Sequence, residues 1–205
     1  MKLRPVGLAV LLLVLVFTAG CAMLPEPKQA VLNKYLIEYT AEGTTGGYRE
    51  GIPAVIVSIP RAHGGYDTAR IAYKQQQHGL RYFAMSRWAD TPARMLAPLM
   101  AEALNGSGAF QALYARPGSL SADYRLDSEL IRLHQDFTRQ PSEVRVTLRA
   151  RLISLRDNRM LAARTFDVTE AADSEDAYGG VQATNRAVGR LLGELARFCA
   201  AQMSQ

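Results

Sequence analysis

Two cysteines, three histidines and a row of arginines are the side chains with chemistry to offer. Cys21 closes the stretch Thr18-Ala19-Gly20-Cys21. A cysteine reacts as its thiolate, and small neighbours let an enzyme reach the backbone beside it. What precedes Cys21 fits that purpose. Lys2 and Arg4 form a basic tip, and Val6 to Phe17 is apolar apart from Gly7. Basic, apolar, then small is the order of a secretory signal. The apolar run is shorter than the roughly 20 residues that a membrane span needs. Removal of residues 1–20 would make Cys21 the first residue of the mature chain.

Thr18-Ala19-Gly20-Cys21 resembles the lipobox of bacterial lipoproteins. That resemblance implies alkylation of the Cys21 thiol by diacylglycerol, cleavage before Cys21 and acylation of the new amine. The alternative is an ordinary secretory signal followed by an incidental cysteine. The expected division is a signal peptide over 1–20, lipidated cysteine and tether over 21–33, and one domain over 34–201. Pro25 and Pro27 stiffen the tether, so the domain should sit close to its membrane. With Cys21 modified, Cys199 has no partner within the chain. It falls in an apolar helical stripe and reads as a buried small hydrophobe. An exposed thiol that pairs with another chain is the other reading. Without a disulfide, stability must come from the core.

The full chain carries 24 basic and 19 acidic residues, +5 in all. Loss of Lys2 and Arg4 with the signal leaves 22 against 19, or +3. That is too mild for nucleic acid, and it permits no more than a weak preference for anionic lipid surfaces. The composition is that of one globular domain.

His63, His78 and His134 lie in different elements without the spacing of a metal site. Each reads as a loop or sheet-surface residue. Ala41-Glu42-Gly43-Thr44-Thr45-Gly46-Gly47-Tyr48 lacks the lysine and helix of a phosphate loop. Gly106-Ser107-Gly108 reads as a helix stop rather than a hydrolase elbow. No nucleophile stands with a base, so we expect neither an enzyme nor a cofactor.

These residues must be positioned by strands and two helices. Lys34–Tyr39 and Ala54–Pro60 read as strands, the second buried on both faces. Two strands parted by His78-Gly79 suggest a hairpin. A helix follows, with Asp90 or Thr91 as its cap, Pro92 in its first turn and a stop at Asn105-Gly106. Pro98 inside it should kink it. Phe110–Arg116 reads as a strand. In the next strand Tyr124, Leu126 and Leu130 are apolar on even positions, and Ile131, Leu133 and Phe137 on odd ones. A β-bulge at Leu130-Ile131 would return them to one face.

The following strand alternates, with Val144, Val146, Leu148, Ala150 and Leu152 opposite Arg145, Thr147, Arg149 and Arg151. With that bulge, Glu129 falls opposite Arg149 and Asp127 opposite Arg151, a cross-strand charge match. The other reading of Arg145, Arg149 and Arg151 is a lipid or partner surface. Arg156–Arg159 is a turn with Asn158 at positive φ. The last helix runs from Ala177 to Ala201, and its apolar stripe needs a sheet to cover. The expected fold is α+β: a mixed, mainly antiparallel sheet with two main helices packed against it.

The order of a lipobox, Tyr35-Leu36-Ile37, Ile59-Pro60 and Arg87-Trp88-Ala89-Asp90-Thr91-Pro92 resembles the ABC-type transport auxiliary lipoproteins, the PqiC-like group. The likeness covers roughly residues 34–200. It implies a lipid-anchored periplasmic subunit of a system that pairs an ABC permease/ATPase complex with an MCE-domain protein. Such systems move phospholipids or other hydrophobic molecules between membranes. Ala22 rather than Asp after the cysteine implies the periplasmic face of the outer membrane. Trp88 reads as core or hinge, or else as a partner-facing anchor. The rival function is an envelope-assembly or structural lipoprotein that binds a barrel protein or cell wall, with no transporter.

Overall fold

The computed structural model describes residues 31–40, 51–114 and 122–203. Cys21, the expected signal peptide over 1–20, nearly all of the expected tether over 21–33 and the glycine-rich stretch at 41–50 lie outside the described residues.

Among these residues nine strands and two helices follow in the order β1 (Asn33–Tyr35), β2 (Ala54–Val57), β3 (Arg61–Ala62), β4 (Arg70–Lys74), β5 (Arg81–Trp88), α1 (Pro92–Gly106), β6 (Gln111–Tyr114), β7 (Tyr124–Asp136), β8 (Glu143–Ser154), β9 (Arg159–Ala171) and α2 (Ala177–Ala201). The fold is α+β, with one mixed sheet. β7, β8 and β9 form a long antiparallel meander. β2, β3 and β4 take the other edge of β7 in succession, each parallel to it. β6 flanks β2, while β5 and then β1 flank β4. Antiparallel pairing dominates by length, because the meander strands are the long ones.

The register breaks between Leu130 and Arg132, which leaves Ile131 as the extra residue. Leu130 then opposes Leu148 and Leu133 opposes Val146. That is the bulge demanded by the change of apolar parity. A second break, between Leu152 and Ile153, leaves Leu161 extra in β9, and nothing in the apolar pattern announced it. β1 stops at Tyr35, short of the expected strand end at Tyr39. His78 and Asn158 take positive φ at the two expected turns.

The helices enclose one face of the sheet. From α2, Val181, Val188, Leu191, Leu192, Leu195 and Cys199 are buried, and they meet Val146, Leu148, Ala150, Leu152 and Phe166 of the meander in a single core. Asp176 caps α2 by accepting from the N–H of Gly179 at 2.8 Å. A Cβ at Gly179 would stand 2.3 Å from the Ser174 carbonyl oxygen, so the capping loop needs glycine there. α1 begins at Pro92 after Thr91, whose side chain makes no capping hydrogen bond. The helix continues through Pro98, which is exposed. The Arg94 carbonyl that loses its helical donor there can turn to water.

Candidate functional site

The face of the meander away from the helices is polar, and the arginine row lies on it. The bulge places Glu129 opposite Arg149 and Asp127 opposite Arg151, the register expected from the sequence. Glu129 is 8% exposed. It accepts from Arg61 at 2.8 Å, from Arg149 at 3.3 Å and from Arg151. Burial pushes this carboxyl up, but the Arg151, Arg61 and Arg149 guanidiniums outweigh it and hold the group below the usual carboxylate range.

Asp127 departs from the expected match. It accepts from Arg125 at 3.1 Å and from the Ser58 hydroxyl at 2.8 Å, and Arg151 reaches diagonally to Glu129 instead. A diagonal neighbour is within range of so long a side chain. Arg145 pairs with both carboxylate oxygens of Asp167 in β9 through Nε and Nη2, and Thr147 donates to the same carboxylate at 2.7 Å. The hydrogen bonds from Arg145, helped by Thr147 and opposed by partial burial, hold Asp167 at about 2.

All three arginines singled out in the sequence are therefore ion-paired and remain 42–47% exposed. A shallow depression of about 280 Å³ opens beside Arg151, lined also by Ser58, Ile59, Arg61, Asp127 and Glu129 among others. Arg61 is the member that strand alternation could not supply. It arrives from β3, through a parallel pairing with β7.

His134 corrects its sequence reading. It faces the polar side, opposite Arg145, but it is only 5% exposed. The Tyr66 ring stacks on it with centroids 5.9 Å apart, and the Tyr66 hydroxyl shares a hydrogen bond with Nδ1 at 2.9 Å. The loop that carries Tyr66 is held by the Tyr82 hydroxyl, which donates to the Gly65 carbonyl at 3.0 Å. Burial, and then the nearby Lys74, push the imidazole down to about 4, so the ring is neutral at physiological pH. Among the described residues no cluster of three His, Cys, Asp or Glu side chains is placed to hold a metal ion.

Trp88 also needs correction as a partner surface. It is 2% exposed, at the end of β5, and belongs to the core. Its indole is enclosed within this chain and offers nothing to a partner. Cys199 is fully buried, and burial pushes its thiol up to about 12, which fits the small hydrophobe and not the exposed thiol.

The sheet edges differ from one another. At β6 the side-chain amide of Asn105 accepts from the Ala112 N–H at 2.7 Å and donates to the Ala112 carbonyl at 2.9 Å. One residue thus stands in for a missing strand. On the helix side a groove of about 610 Å³ runs between Glu38–Thr40, the end of α1 and α2. Gly189, Gly193 and Ala196 alternate there with Arg190, Glu194 and Arg197, and the sequence reading did not foresee it.

Comparison with known proteins decides the family. Residues 35–196 match the family of the ABC-type transport auxiliary lipoprotein component. The chain belongs to this family. Its members are named as lipoproteins auxiliary to ABC-type transport, and that is the general role of this chain. A Xanthomonas campestris protein with the family designation DUF330 has 23% identity over 84% of this chain and 97% of its own, with a TM-score of 0.74. An uncharacterized protein has 11% identity over 82% of this chain and 99% of its own, at 0.66. A hypothetical protein of Chlamydia trachomatis has 11% identity over 73% and 97%, at 0.51. At these identities the likeness is one of fold. A search of curated protein sequences gave no significant match.

Proposed function

We propose that this family member is lipidated at Cys21, sits on the periplasmic face of the outer membrane and docks an ABC transporter there. The transporter would comprise a permease/ATPase complex with an MCE-domain protein and would move phospholipids or other hydrophobic molecules. The observation that carries this reading is the family match over 35–196, standing directly behind a Thr18-Ala19-Gly20-Cys21 lipobox.

The acyl chains fix one end of the bridge, and the domain over 34–201 presents a docking surface at the other. Holding a partner near the membrane raises its effective concentration without demanding tight binding. No helix among the described residues is long and apolar enough to cross a membrane; in this reading the lipid at Cys21 is the anchor. The space between α2 and the meander is filled by Val188, Leu191, Leu195, Leu148 and Leu152, each at most 1% exposed. A domain packed in this way suits docking better than carriage of lipid in its own interior.

The test is mild crosslinking of the lipidated chain in its own envelope, followed by identification of what co-purifies. The expected result is recovery of an MCE-domain protein or an ABC permease. Recovery of a barrel-assembly or cell-wall protein without transporter subunits would favour the structural rival. A Cys21→Ser chain should stay uncleaved or leave the outer membrane fraction, and outer-membrane retention with normal cleavage would refute lipidation.

A further inference from the structure

Among the described residues, β9 is bonded to β8 alone. Arg186 donates to the Ala171 carbonyl at 2.7 Å and Arg190 to the Thr169 carbonyl at 3.5 Å. Odd-numbered residues of β9 therefore turn their backbone groups away from β8. The register is unbroken from Ala162 to Ala171, so Ala163, Thr165 and Asp167 turn the same way. All three are exposed. Among the described residues, no hydrogen bond from outside β8 reaches their backbone groups. Arg186 and Arg190 guard one end of this edge, and Asn105 plugs β6, but residues 163–167 carry no proline, lysine or bulge to blunt pairing.

The side chains beside this stretch add a charge preference. Ala163 opposes Arg151 and Thr165 opposes Arg149, so short side chains separate the edge from the arginines. Neighbouring strands lie about 4.8 Å apart. A chain laid along β9 would run about 10 Å from β8, a gap that a guanidinium and a carboxylate can close from either side. Arg149 and Arg151 each give one nitrogen to Glu129, which Arg61 also engages. Three guanidiniums share one carboxylate, which leaves donors and positive charge for further carboxylates.

We propose that residues 163–167 of β9 accept an extended segment of a partner protein as an added strand, with Asp or Glu at alternate positions facing Arg149 and Arg151. Backbone bonds supply the affinity and the arginines select acidic segments. The proposal rests on the docking role above and names its edge and the chemistry of its partner. On the other side of the added strand, alternate residues would lie beside the stem of the exposed Arg164, whose guanidinium stacks 5.0 Å from the ring centre of the buried Phe166. Apolar side chains fit there.

The test uses the full lipidated chain in detergent, with two blocked eight-residue peptides as probes, one alternating Val and Glu, the other Val and Lys. Hydrogen exchange of the β9 fragment is read by mass spectrometry. The Val-Glu peptide should slow exchange there at least tenfold at low salt, and the Val-Lys peptide should not. Arg149→Gln with Arg151→Gln should weaken the effect at least tenfold. Thr165→Pro removes an outward N–H and keeps the β8 ladder, so it should abolish the effect while exchange in β8 stays unchanged. Equal slowing by both peptides, no slowing, or indifference to the arginine pair would overturn the proposal. Slowing that grows with protein concentration in the absence of peptide would assign the edge to a second copy and overturn it too. Transporter subunits that still co-purify with Thr165→Pro would refute this edge and leave the docking role standing.

Discussion

Leu148 and Arg149 are adjacent in β8, yet Leu148 is closed in beneath α2 and Arg149 stands half-exposed beside Glu129. The same contrast repeats along the strand. One face is held by apolar burial, which is non-directional and strong. The other is held by ion pairs between half-exposed groups, which are directional and individually weak. The helix face therefore sets the stability of the domain, and the open face sets what can approach it.

Leu148→Ala is the strongest way to break the helix face. Truncation at a fully buried position should cost about 2–5 kcal/mol, read as a lower denaturant midpoint with unchanged slope. His134 comes next, because Tyr66 has made a buried site on the polar face. Its ring titrates near 4 when folded, against the ordinary 6.5 of an exposed imidazole. Between those values the unfolded chain binds the extra proton. Stability is thus full above about pH 6.5 and falls as pH drops toward 4, by up to about 3 kcal/mol. His134→Gln should flatten that slope in urea titrations run across the window.

Asp167 acts in a lower window. Its folded value near 2 lies below the ordinary 3.8, so its contribution is present above about pH 4 and is lost as pH falls through 2. Screening at so exposed a pair should keep it under about 1 kcal/mol, and Asp167→Asn should remove it from an acid-unfolding curve. Arg151→Gln is the smallest change, since Arg61 and Arg149 still hold Glu129. We expect no shift in thermal midpoint beyond measurement error. A large shift would mean that the open face carries stability after all.

Alternation and parity made much of this legible. The change from Leu130 to Ile131 gave away the bulge, and the bulge gave the Glu129–Arg149 and Asp127–Arg151 register. The stripe from Val181 to Phe198 gave the last helix, which runs over Ala177–Ala201 as expected. What stayed hidden depends on contacts far apart in the chain. Nothing local says that β2, β3 and β4 share one edge of β7, and so nothing announces Arg61 at Glu129 or Tyr66 over His134. Parallel pairings between distant segments leave no turn motif to read. Trp88 carried two readings because burial of one aromatic is decided by its neighbours, and no period marks it.

The enclosure of Cys199 turns the last helix into a clock. Its thiol is fully covered and is held near 12, so a thiol reagent meets it only when α2 lifts from the sheet. In a Cys21→Ser chain every modified molecule would record one such lifting. The labelling rate would then time the opening of the core without denaturant and without a probe added by design.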